Sequence, residues 1–396
     1  MKQNSGSRKD GFALYAVTAP GLEQICAAEL SALGVAGTVE ESGVAFNGDA
    51  DTLARANLWL RTASRVLVRV AEFRATAFYE LELQAKRIPW TRFLAPGARV
   101  EFRVTCRKSK LYHSDAVAER LYEAARRAVP NVEAASATES DDETGVAGER
   151  QLFVVRFLHD VCTVSADSSG ALLHLRGYRQ QLGKAPLRET LAAAVLLGAE
   201  WTGTTPLVDP MCGSGTIPIE AALIARRIAP GVARSFAFLR GPGAGAARWT
   251  ELVAEARAGE LPRSPVAIRG FDRDAGAIDA ARANAERAGV AGDVEFRVQV
   301  ISALADEPPP GLVVSNPPYG VRVGDPGQLR DLYAQLGNVV RRCRPGWTLA
   351  LLSADRALET QVRLRFGERF RTRNGGIAVR LVTGAVPEIR EPVSAG

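Results

Sequence analysis

The chain has 396 residues, 46% hydrophobic and 24% charged, enough apolar material for two or three separately cored domains. This excludes a disordered, collagenous or small disulfide-stapled chain. Fifty Lys and Arg against 44 Asp and Glu give a net charge of +6, which makes an anionic partner such as nucleic acid the first to consider.

The five cysteines, Cys26, Cys106, Cys162, Cys212 and Cys343, include no C-x-x-C pair, which disfavours a zinc site and a redox dithiol. Reduced thiols in a cytoplasmic protein are expected. The longest apolar run, residues 191–199, is too short to span a bilayer, and the basic leader 1–10 has no apolar stretch behind it; no membrane association is expected.

Along the chain, positive charge gathers between residues 61 and 127, where 15 Lys and Arg face 7 Asp and Glu. Residues 131–149 then hold six carboxylates and no base, the pattern of a solvated loop. Alternating apolar residues predict strands at 151–157 and 161–166, and after a polar turn a third at 171–175. The basic segment Arg176-Gly-Tyr-Arg179 follows.

From Leu187 onward, helix and strand signals alternate as in a parallel sheet with crossover helices, which predicts an α/β fold. A strand at Leu207-Val208 runs into a glycine loop and a helix over 217–229, stopped by Pro230-Gly231. Residues 241–245 read as a flexible connector. Another strand covers 266–271, and Asp274 is placed to cap a helix whose Ile278, Ala281, Ala285 and Ala288 recur at helical spacing. Further strands are predicted at 294–300, 312–315, 348–353 and 377–382.

Three motifs carry chemistry. In Asp209-Pro210-Met211-Cys212-Gly213-Ser214-Gly215-Thr216 the glycines permit a sharp turn and close approach to a ligand, and the following helix presents unpaired N–H groups. A dinucleotide loop would place a third glycine at Pro218. Asp209 instead suits a cofactor with a cationic amino-acid tail. Cys212 has no neighbouring base and reads as a packed thiol. In Gly270-Phe271-Asp272, an acidic residue ending the second strand is suited to accept both hydroxyls of a ribose.

Asn316-Pro317-Pro318-Tyr319 is the most informative tetrapeptide. Its prolines lock φ and remove two donors, so the Asn316 side-chain oxygen and the Pro317 carbonyl offer two acceptors to one amino group. Holding both hydrogens lets a conjugated nitrogen pyramidalise toward an electrophile, a stabilisation that grows in the transition state. The Tyr319 ring is expected to stack on a flat target, with its hydroxyl dispensable.

These blocks resemble the amino-group branch of the class I S-adenosylmethionine-dependent methyltransferases. The segments 16–23, 57–66, Arg176–Arg179 and 183–192 are similar to the THUMP-domain RNA methyltransferases that make N2-methylguanosine. The resemblance implies a Rossmann-like methyltransferase domain over 191–396, preceded by a ferredoxin-like domain (1–60), a THUMP RNA-binding domain (61–175) and a linker (176–190). It implies S-adenosylmethionine as cofactor, held by Asp209 to Thr216, Asp272, the position of Val300, Pro186 and Glu189, with Asn316 to Tyr319 at the reacting amine. The cofactor's sulfonium is already an activated electrophile, so no metal is called for.

Structured RNA is the expected partner, with Arg107, Lys108, Lys110, Arg176 and Arg179 as candidate contacts. The expected reaction is methylation of guanosine N2 by direct displacement, with ribosomal RNA of the large subunit favoured over tRNA. DNA adenine-N6 and protein glutamine-N5 methylation use the same tetrapeptide but are disfavoured by the RNA-type module. A catalytically inactive RNA-binding assembly factor is the rival of a different class. Val300 is the departure from pattern: related enzymes place there an Asp that accepts from the adenine amino group.

Overall fold

The computed structural model describes residues 11–135, 150–179, 187–242, 246–319 and 326–388. Pro186, most of the acidic stretch and residues 243–245 lie outside them. The chain divides into two compact units. One comprises Met1–Thr18, Cys26–Leu175 and Gly231–Glu255, and the other Ala19–Ile25, Arg176–Pro230 and Ala256–Gly396.

In the first unit, strands β1 (Phe12–Thr18), β2 (Gly37–Glu40), β3 (Gly43–Gly48), β4 (Ala63–Arg74), β5 (Arg99–Arg107), β6 (Glu133–Ala134), β7 (Arg150–Leu158) and β8 (Val161–Asp167) form one sheet. Its order is β2-β3-β1-β4-β8-β7-β5-β6. The long strand β4 pairs antiparallel with both β1 and β8, so the N-terminal strands and the basic stretch share a single sheet. Helices α1 (Glu23–Ala32), α2 (Ala50–Trp59), α3 (Phe78–Ala85) and α4 (Ser114–Ala128) intervene in the chain.

Helix α4 buries Val117, Leu121, Ala124 and Ala125, the stripe expected of an amphipathic helix on a sheet. Beneath it the Trp90 ring meets Phe102 and Phe153 edge-on, at 5.8 and 5.2 Å between centroids. The Trp90 indole N–H donates to the Ala85 carbonyl at 2.9 Å, so no polar atom of this large side chain is left unpaired. Not all of the basic charge faces outward: Arg65 is buried in an ion pair with Asp167.

The third strand expected near 171–175 is absent. Those residues turn irregularly because the Arg234 guanidinium donates to the carbonyls of Ala171, Leu172 and Leu175 at 2.7, 2.8 and 2.6 Å, satisfying groups that a strand would pair across a ladder.

The second unit has the α/β pattern that the alternation predicts. Strands β9 (Leu207–Asp209), β10 (Ile268–Asp272), β11 (Val294–Val298), β12 (Leu312–Ser315), β13 (Thr348–Ser353), β14 (Gly367–Asn374) and β15 (Ile377–Ala385) form a sheet in the order β11-β10-β9-β12-β13-β15-β14. The first five are parallel to one another, and β15 joins antiparallel to β13 and β14. Helices α5 (Glu189–Gly198), α6 (Thr216–Ala225), α7 (Ala246–Ala258), α8 (Ala275–Arg287), α9 (Pro326–Cys343) and α10 (Arg356–Gln361) complete the second half of the chain.

Asp274 caps α8 as the sequence suggests, accepting from the N–H groups of Gly276 and Ala277 at 2.8 and 3.2 Å. Helix α6 ends earlier than Pro230, because Arg227 takes a positive φ of 58° directly after the cap. Strand β11 stops at Val298, and Val300 leads into a short 3-10 turn at Ile301–Ala303.

Candidate active site

The strand order reverses on either side of β9, with β10 and β12 flanking it. In open α/β sheets, ligands bind beyond the carboxyl ends of the strands at such a switch point. Asp209 ends β9, Asp272 ends β10, Val300 follows β11, and Asn316 follows β12. Four stretches far apart in the chain thus converge through strand register alone.

A cavity of about 850 Å³ opens there, lined by Pro210, Met211, Asp272, Val300 and Pro318 together with Arg273, Gln299 and a polar face of α9. The α9 residues Gln328, Asp331, Gln335 and Asn338 supply that face. Sequence reading misses them. Their spacing marks a helix face, but amides and one carboxylate on a solvated helix carry no distinctive chemical signature.

Gly213 and Gly215 both adopt positive φ, 51° and 81°. A Cβ on Gly215 would lie 2.8 Å from the Phe296 ring and 2.9 Å from Ala281, so glycine is required by both conformation and space. The Asp272 carboxylate braces the loop, accepting from the Gly213 and Asp274 N–H groups at 3.0 Å each. Each carboxylate oxygen has a further lone pair, so Asp272 can still take a diol from the cavity side. The Ser214 carbonyl accepts from Asn284 at 3.0 Å, and Thr216 is buried as the first residue of α6.

Asp209 differs from its expected role as a direct cofactor contact. It is 1% exposed, and its Oδ1 accepts from the Met211 N–H at 3.1 Å and from the Ser315 hydroxyl at 2.8 Å. Burial, reinforced by the Asp272 charge, pushes its carboxyl up to about 7. Asp209 therefore holds the glycine loop against β12. Cys212 is buried, and burial pushes its thiol well above the ordinary value, consistent with packing and against a nucleophile.

At the tetrapeptide, the Asn316 Oδ1 is buried and has no hydrogen-bond partner among the described residues. A buried acceptor left open is costly unless a ligand fills it. Pro317 and Pro318 contribute no donors beside it. Tyr319 is 9% exposed and its hydroxyl accepts from Asn374 Nδ2 at 2.7 Å. The expectation of a freely stacking ring with a dispensable hydroxyl gives way to a largely enclosed phenol with an engaged one.

Arg176 and Arg179 are corrected as RNA contacts. Their side chains are 2% and 9% exposed and pair with Glu220 at 3.1 Å and Glu189 at 3.2 Å. Glu189 is in turn buried, its carboxyl raised to about 7 chiefly by that burial, and it does not line the cavity. These charges knit α5 and α6 to the segment before them. In the other unit Arg107, Lys108 and Lys110 are exposed, at the end of β5 and just beyond it. Among the described residues, no cluster of three or more His, Cys, Asp or Glu could hold a metal ion, and no helix is long and apolar enough to cross a membrane.

Residues 176–383 match the RMKL-like methyltransferase domain, and residues 13–67 match the RlmL ferredoxin-like domain. A Synechocystis sp. protein carrying the name of an RNA methyltransferase is 36% identical over 93% of this chain and 95% of its own. The ribosomal RNA large subunit methyltransferase K/L of Methylococcus capsulatus is 37% identical over 93% of this chain. This chain spans about half the length of that protein, 50%.

Among solved structures, SMU.472, determined in complex with S-adenosylhomocysteine, shares 31% identity and a TM-score of 0.85 over 96% of this chain and 99% of its own. A Listeria monocytogenes structure named for an N6-adenine-specific DNA methylase gives 34% and 0.84, over 94% and 96% of the two chains. The switch-point cavity, the glycine loop and the open Asn316 acceptor accord with these likenesses, and the chain belongs to the RMKL-like methyltransferase family, whose members use S-adenosylmethionine.

Proposed function

We propose that the protein methylates the exocyclic N2 of a guanosine in large-subunit ribosomal RNA. The observation that carries this reading is the buried, unpartnered Asn316 Oδ1 at the carboxyl end of β12, followed by two residues that cannot donate. Met211, Asp272 and the wall at Val300 would hold the cofactor, which supplies an activated methyl group when bound. Asn316 Oδ1 and the Pro317 carbonyl accept the two N–H bonds of the target amine, directing its developing lone pair away from the ring system. The buried positions of Pro317 and Tyr319 limit the water that could compete for those acceptors.

The ribosomal target is supported by the names of the K/L relatives. Transfer of radiolabelled methyl to RNA from a deletion strain, followed by mapping of the labelled nucleotide, tests it. Label in N2-methylguanosine of large-subunit RNA is expected. Label in tRNA would redirect the substrate, and no transfer would favour an inactive assembly factor. The name of the Listeria structure favours a second reading, adenine-N6 methylation of DNA, which nuclease digestion and identification of the labelled nucleoside would separate.

Residues 61–175 are proposed as a THUMP module that holds the RNA, with Arg107, Lys108 and Lys110 on its exposed surface. Replacing all three by alanine is expected to reduce the slope of log affinity against log salt by about 2 to 3, because each lost phosphate contact releases fewer counterions. An unchanged slope would place RNA holding elsewhere.

Val300 offers the adenine edge no acceptor, and it lines the cavity at 52% exposure. Val300→Asp is expected to tighten S-adenosylmethionine binding about threefold to thirtyfold, roughly 0.7–2 kcal/mol, by adding a charge-assisted hydrogen bond. Calorimetric titration of both proteins checks it; unchanged or weaker binding would show that position 300 does not meet the adenine amino group.

A further inference from the structure

The tip of the β14–β15 hairpin meets the tetrapeptide across 55 residues of sequence, through the 2.7 Å bond from Asn374 Nδ2 to the Tyr319 hydroxyl. Asn374 is the last residue of β14 and is half-buried. The turn that follows it is specified by Gly375 and Gly376, at φ +55° and +86°. Strand β14 is paired with β15 from Gly367↔Thr383 to Asn374↔Ile377, and β15 is paired with β13. The donor therefore stands on a braced frame.

Burial raises the Tyr319 phenol while the Asn374 bond opposes that rise, so the hydroxyl stays protonated at neutral pH and accepts the amide hydrogen. Pro318 locks the backbone on one side of Tyr319, which leaves the two side-chain torsions to set the plane of the ring. The hydroxyl oxygen lies on the axis of the second torsion, so a hydrogen bond there fixes the direction and reach of the ring rather than its rotation about that axis.

We propose that Asn374 is a positioning residue for methyl transfer, fixing through the Tyr319 hydroxyl the position of the phenol beside which the target base is held. This rests on the reading of Asn316 to Tyr319 as the transfer site. A misplacement of about 1 Å in a reacting group is enough to cost orders of magnitude in rate, whereas cofactor affinity has no reason to change.

The test is a double-mutant cycle on the full chain, using ribosomal RNA from a deletion strain. Asn374→Ala and Tyr319→Phe are each expected to lower kcat about threefold to thirtyfold, with S-adenosylhomocysteine affinity by calorimetry within about twofold of the parent. The double variant should lose no more than the worse single, because both changes remove the same bond. Losses that multiply, or an Asn374→Ala protein with parental kcat, would overturn the proposal. Asn316→Ala serves as the control: if it is inactive while Asn374→Ala is unimpaired, the positioning role alone fails, and if it turns over normally, the reading of the site fails as well.

Discussion

Asn316→Ala is expected to lower kcat by about two to three decades, with little change in S-adenosylhomocysteine affinity. The Asn316 Oδ1 is buried and without a partner among the described residues, so its acceptor capacity is unspent within the protein. An acceptor that strengthens as charge develops on the nitrogen contributes mainly to the transition state, and its loss lowers kcat and kcat/KM together. Single-turnover kinetics with calorimetry of the folded variant separates this from a binding defect. Near-parental turnover would remove Asn316 from the chemistry and leave the tetrapeptide as an ordinary turn.

The second large effect is on stability. Arg176 and Glu220 are paired at 3.1 Å with side chains 2% and 0% exposed, and the Tyr178 hydroxyl donates to the same carboxylate at 2.9 Å. Arg176→Met leaves the Glu220 charge buried without its cation, so the variant is expected to lose about 3–5 kcal/mol in urea unfolding. Adding Glu220→Gln removes the stranded charge and should recover part of that loss, since a buried pair often contributes little net stability over neutral replacements. The salt dependence of RNA binding should stay parental. An Arg176→Met protein of unchanged stability and shallower salt slope would restore Arg176 to the RNA-contacting surface.

Several features are legible in the order of residues because they are local. Period-two and helical patterning accounts for the alternation from Leu187 onward, and Asp274 signals its cap through residue type and position. The glycines at 213 and 215 announce a turn that other residues resist, and both take positive φ. The doubled proline after Asn316 limits its own backbone, so its donor-free character follows from residue type alone.

Position in space is not local, and the misreadings share that cause. Arg176 and Arg179 read as RNA contacts because a basic segment usually faces outward, yet Glu220 and Glu189, up to 44 positions away, neutralise them in the interior. Residues 171–175 have the alternation of a strand, but Arg234 satisfies their carbonyls first. The place of Asp209 in the motif suggests a cofactor ligand, and the Ser315 hydroxyl, brought beside it by β12, holds its oxygen instead.

Residue order alone was sufficient for the α/β class, the glycine loop and the donor-free backbone of Pro317 and Pro318, because backbone stereochemistry and side-chain functional groups belong to the residues themselves. Which charges are buried, that α9 walls the cavity and that Asn374 reaches Tyr319 emerge only in the folded chain. Burial and long-range pairing depend on which distant segments the sheet order makes neighbours.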